Sequence, residues 1–111
     1  MGSTSCREFQ NSYLAENILT LLEKDDMYGL QLQEKIHEIT DGKYWVNIAT
    51  IYNTLKKLES DGFVESWQDE QNYPERGGRP RKYYTITYKG RRDIEYLRET
   101  RKKFVDWQPA I

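Results

Sequence analysis

The chain's 111 residues suffice for one domain with a modest core, and an aromatic content of 14%, including nine Tyr and three Trp, supplies large buried areas. No apolar run nears the roughly 20 residues of a membrane helix, and the N-terminus lacks the basic-then-apolar layout of a signal peptide. The single cysteine, Cys6, leaves no internal disulfide and points to a reducing, cytoplasmic setting.

The net charge of −1 hides a split. Residues 1–75 carry 6 Lys/Arg against 14 Asp/Glu, a net −8, whereas residues 76–111 carry 11 against 4, a net +7. A polyanion responds to local potential within a Debye length of about 8–10 Å, so a basic segment on an acidic body remains able to bind DNA.

Residues 1–8 read as a flexible tail. The first helical period runs from about Phe9 to Glu23, with Leu14, Ile18, Leu21 and Leu22 on one stripe and Tyr13 at its edge. Lys24-Asp25-Asp26 breaks it, the two aspartates falling at the start of the next helix, where carboxylates suit the macrodipole. That second helix, about Tyr28 to Ile39, is expected to bury Leu32, Ile36 and Ile39, while Gly29 permits close approach of a neighbour. Thr40-Asp41-Gly42-Lys43 reads as a stop and turn.

The third helix, Asn47 to about Asp61, carries the clearest pattern. Ile48, Ile51, Leu55 and Leu58 form a narrow apolar stripe, Asn47 suits an N-cap, and Gly62 stands where a C-cap glycine belongs. Ala49, Thr50, Asn53, Lys56 and Lys57 point away from the stripe, giving a small, polar and cationic face with no acid before Glu59. Phe63 to Trp67 is a short alternating strand, Asp69 to Arg81 a polar Gly/Pro loop, and Tyr83 to Thr87 a second strand, so the pair makes a hairpin. A long helix from Lys89 to Trp107 follows, with Thr87 as its cap and Ile94, Leu97 and Phe104 on one side.

The order α-α-α-β-β-α describes an α+β winged helix-turn-helix over residues 9–87, with a C-terminal dimerisation helix and tail over 88–111. In that design the third helix enters the major groove. Thr50 and Asn53 suit base edges, and Lys56 and Lys57 suit phosphates. A polar helix face also suits water, and the hairpin tips the balance. Arg76-Gly77-Gly78-Arg79-Pro80-Arg81-Lys82 packs four cations into seven positions, with glycines for close backbone approach and Pro80 holding Arg79 extended toward a narrow minor groove. A solvated hairpin tip would mix signs and use more Ser, Asn or Asp. The residues expected at double-stranded DNA are therefore Asn47, Thr50, Tyr52, Asn53, Lys56, Lys57, Arg76, Arg79, Arg81 and Lys82.

These motifs resemble the PadR-like transcriptional regulators. Ile18-Leu19, Leu21-Leu22 and Tyr28-Gly29-Leu30 look like that family's opening, and Asn47 through Val64 resembles its recognition helix almost position by position. Gly78 to Tyr84 and Thr87 to Arg91 resemble its wing and the start of its last helix, so the likeness spans about residues 14–107. Asn53 departs from the pattern, since the family usually has Pro after the tyrosine, and the chain resembles the short subgroup with one terminal helix.

The resemblance implies repression and a two-fold dimer built from the first and last helices. Independently, Tyr96, Leu97, Phe104, Val105 and Trp107 give the last helix more apolar surface than a small core needs. The expected dimer contacts are Tyr13, Leu97, Phe104, Val105 and Trp107. In some relatives an aromatic residue of the last helix lines a cavity between subunits and senses planar small molecules. Phe104-Val105-Asp106-Trp107 resembles that placement, which makes Trp107 the candidate for an effector.

Enzyme chemistry finds little support. One histidine, His37, reads as a solvated surface residue, and with a remote Cys6 it builds neither a zinc site nor a nucleophile pair. No phosphate-binding glycine loop follows a strand, and no cofactor is expected. The rival classes are a ligand sensor and a winged-helix protein-interaction module; the latter should carry a neutral or acidic wing.

Overall fold

The computed structural model describes residues 5–70 and 80–110. Along them run α1 (Ser5–Leu22), β1 (Met27–Tyr28), α2 (Gly29–Ile39), α3 (Ile48–Ser60), β2 (Val64–Asp69), β3 (Arg81–Ile86) and α4 (Tyr88–Asp106). The winged-helix architecture is thus present, with two changes to the expected order. Helix α1 starts at Ser5, within the leader read as a tail, and a two-residue strand, β1, precedes α2. The sheet is antiparallel in the order β1-β3-β2.

The core forms where the helical stripes meet one face of this sheet. Ile18 and Leu22 of α1, Leu32 of α2, Ile51 and Leu55 of α3, Val64 of β2 and Ile94 of α4 are fully buried. Ile39 is not, at 62% exposed. It lies where α2 ends: Thr40 donates its hydroxyl to the Ile36 carbonyl (2.8 Å), and Asp41 and Gly42 turn the chain through positive φ of 55° and 77°. The stop therefore comes before Ile39 meets a partner. The Asp25-Asp26 pair lies in the turn ahead of β1, not at a helix start.

Registers fix which side chains face the core. Val64 pairs with Ile86, Ser66 with Tyr84, and Trp67 with Tyr83. Because side chains alternate across a strand, Tyr84 and Ile86 point inward with Val64, and Trp67 and Tyr83 point to the outer face. At the far end, Thr87 caps α4 by accepting from the Gly90 N–H (3.1 Å) and donates to the Gly62 carbonyl (2.7 Å). Lys89 Nζ adds a bond to the Asp61 carbonyl (2.8 Å). The C-terminus of α3 and the N-terminus of α4 are thereby tied together.

Burial, then the charge of Glu59, then Tyr52, hold the Tyr84 phenol above its ordinary pKa of 10.0. A raised folded-state value favours the protonated form. Its stabilisation is full below the unfolded pKa and is lost as pH rises through the folded one. Denaturant melts should therefore lose stability above about pH 10, and Tyr84→Phe should flatten that decline. An unchanged alkaline limb in the variant would place the loss on another group.

Candidate nucleic-acid interface

Two bonds set the start of α3. The Asn47 side chain accepts from the Ala49 N–H (2.8 Å), and the buried Gln33 amide of α2 donates to the Val46 carbonyl (2.7 Å). A buried amide left unpaired would be costly, so this bond holds the turn between α2 and α3 in one geometry. With Ile51, Leu55 and Leu58 inward, Ala49, Tyr52, Asn53, Lys56 and Lys57 are exposed on the other side, and Thr50 is half-buried. Glu59, the first acid on the helix, is engaged by the Ser66 hydroxyl (2.7 Å) on β2. The outward face up to Lys57 is therefore free of negative side chains.

Two expected contacts are already committed within the fold. Asn47's oxygen serves the cap. Tyr52 is 43% exposed, and its ring lies against Gly29, where an added Cβ would come within 2.6 Å of it. The close approach expected at Gly29 is thus to the recognition helix.

The wing cations are separated. Lys82 shares a sheet face with Tyr84, its Nζ 5.7 Å from that ring, on the side where Ser66 meets α3. Arg81 lies on the opposite face, its guanidinium 4.5 Å from the Tyr28 ring centroid. Strand alternation sends these two neighbours to opposite faces of the sheet. Arg76 and Arg79 lie outside the described residues.

Helix α4 packs on α1 through ions. Arg98 donates to both Glu23 carboxylate oxygens (2.7 and 3.2 Å) and to the Thr20 hydroxyl (2.8 Å), and Arg101 pairs with Glu16. The Glu23 bonds raise the Arg98 pKa further above its already high value. Only Gly90 and Ile94 of α4 are buried. Tyr13 is 56% exposed, Leu97 36%, Phe104 79%, Val105 76% and Trp107 70%.

Sequence reasoning missed an aromatic cluster on the outer sheet face. Trp67 stacks on Tyr83 (4.6 Å, 12°), Tyr83 meets Tyr28 edge-on (5.3 Å, 80°), and Trp67 Nε1 donates to Asp26 Oδ2 (3.0 Å). Alternation in β2 could have flagged Trp67, but β1 is too short to leave a periodic signal. His37 is half-buried and edge-on to Trp45 (5.1 Å), so it is less solvated than expected. Among the described residues no group of three His, Cys, Asp or Glu could hold a metal, and no helix is long and apolar enough to cross a membrane.

With this geometry in hand, comparison with known proteins gives consistent results. The profile of the "Transcriptional regulator PadR-like family" matches residues 18–96. A PadR-like transcription factor from Bacteroides fragilis superposes with a TM-score of 0.82 at 25% identity, covering 94% of each chain. Bacillus subtilis PadR, solved in complex with operator DNA, gives a TM-score of 0.65 at 25% identity, over 89% of this chain and 50% of that one. The transcriptional regulator YqjI of Escherichia coli is 30% identical over 88% of this chain, which spans 44% of YqjI.

Proposed function

The chain belongs to the PadR-like family of transcriptional regulators, and from that premise we propose that it is a cytoplasmic, sequence-specific repressor that binds double-stranded DNA as a homodimer. The outward face of α3 carries this reading: exposed Asn53, Lys56 and Lys57 beside Thr50, with the nearest acid drawn away to Ser66. Thr50 and Asn53 read base edges from the major groove, and Lys56, Lys57 and Lys82 hold phosphates. Arg76 and Arg79 extend the grip toward the backbone and minor groove. The operator complex of Bacillus subtilis PadR supports the placement by analogy.

Dimerisation accounts for the uncovered end of α4. Tyr13, Leu97, Phe104, Val105 and Trp107 meet the same residues of a second copy, and two recognition helices then address half-sites roughly 34–36 Å apart. Trp107 lies where a planar effector between subunits would be sensed.

The decisive experiment selects bound duplexes from a random pool and titrates the winner with salt. Affinity should fall steeply as salt rises, because neutralised phosphates release counterions. Binding indifferent to salt would remove the cationic surface from the mechanism. Replacing both Phe104 and Trp107 with glutamate should convert the dimer to a monomer by sedimentation at micromolar concentration and weaken duplex binding at least about tenfold through loss of the second half-site. A double variant that stays dimeric would move the interface elsewhere.

A further inference from the structure

The hairpin that forms the wing leaves the core part-way along its length. Val64, Tyr84 and Ile86 are buried at its base, and Ser66 makes the bond to Glu59 on α3. Beyond that point β1 lies beside β3 as the third strand of the sheet, and on the outer face the residues around it meet Trp67, Arg81 and Tyr83. Met27 and Tyr28 pair with Tyr84 and Tyr83 through the backbone. Tyr83 packs edge-on against Tyr28, and Trp67, stacked on Tyr83, donates to Asp26. The next residue along, Gly29, is in contact with Tyr52 of the recognition helix. Four consecutive residues, Asp26 to Gly29, thus touch the wing at one end and α3 at the other.

The geometry points to Asp26–Gly29 as the joint that sets the angle between wing and recognition helix, with Trp67 and Asp26 as positioning residues for DNA binding. The inference rests on the DNA-binding reading above. A six-residue strand is about 20 Å long, so a tilt of about 10° at its base moves its tip by roughly 3 Å. That displacement exceeds the tolerance of a phosphate contact. The Trp67–Asp26 bond is exposed, with Trp67 at 44%, so it adds little to global stability. Its value is directional: it fixes where Arg81 and Lys82 stand while α3 sits in its groove.

The test compares Trp67→Phe, which keeps a ring over Tyr83 but loses the indole donor, with Asp26→Ala and with Asp26→Asn, which keeps an oxygen acceptor. All are measured on the duplex selected from the random pool. Trp67→Phe and Asp26→Ala should each weaken binding about fivefold, and the double variant no further, because both remove one bond. The slope of log affinity against log salt should become shallower by about one in each, the base preferences of α3 should persist, and Asp26→Asn should bind like the parent. Labelling the tryptophans with 5-fluorotryptophan gives a readout without DNA. The resonance that disappears in Trp67→Phe should shift in Asp26→Ala in the free protein. Parental affinity and slope in folded variants would overturn the joint, as would a loss that tracks thermal stability with the slope unchanged. A parent chain without salt-dependent duplex binding would instead overturn the DNA-binding reading, the Trp67 resonance still reporting whether the bond exists.

Discussion

Gly90→Ala should destabilise the protein by about 3 kcal/mol, lowering the melting temperature by roughly 10 °C or more, even though alanine is the better helix former. In an open helix the exchange would gain up to about 1 kcal/mol. Here the added Cβ would lie 2.3 Å from the Phe63 carbonyl oxygen and 2.8 Å from Ile86 Cγ1. A flexible side chain could move aside, but Phe63 O is backbone, fixed by accepting from the Thr87 N–H (3.0 Å). Helix α4 must then shift away from the strands, opening the contact that buries Ile94. Denaturant melts of the parent and the variant measure the difference directly. A gain in stability would show that α4 docks with more play than these distances allow.

The largest effect on function is expected from removing both lysines of the recognition helix. Lys56→Ala with Lys57→Ala leaves the apolar stripe untouched, since both side chains are exposed and neither participates in the core. Stability should therefore stay within about 0.5 kcal/mol of the parent. Every phosphate that goes unneutralised lowers the salt slope by about 0.9, so the double variant should drop by nearly 2 per subunit and bind at least about tenfold more weakly near physiological salt. The weakening should fall equally on all duplexes. Asn53→Ala should behave differently, relaxing the preference at one base position by about 1–3 kcal/mol with little change in slope. If the lysine variant kept the full slope, the phosphate-binding cations would have to be those of the wing and α4 instead.

The elements visible in the sequence are those whose periods are long enough to repeat. The i, i+3, i+7, i+10 stripe of Ile48, Ile51, Leu55 and Leu58 places α3 to within a residue of its bounds, because burial of that face and the Asn47 cap are both local decisions. The same holds for the Thr87 cap of α4 and the positive-φ glycines at 42 and 62. A two-residue strand has no period to read, so β1 leaves no signal, and Asp26 reads as a helix-start carboxylate when it is an acceptor for Trp67. Ile39 misleads for the opposite reason: it fits the α2 stripe, but the helix ends before anything covers it.

For the candidate interface, the sequence alone determined which residues are available. Cations cluster after residue 75, the acid-free flank of α3 is set by the order of its side chains, and the apolar surplus of the last helix is a matter of composition. Only the tertiary structure decided their directions. Arg81 and Lys82 are adjacent in the chain but face opposite sides of the sheet, and Tyr52 is turned against Gly29. The first follows from strand alternation once β3 is found to begin at Arg81, ahead of the Tyr83 start read from the sequence. The second follows from a contact between residues far apart in the chain, which leaves no local signal.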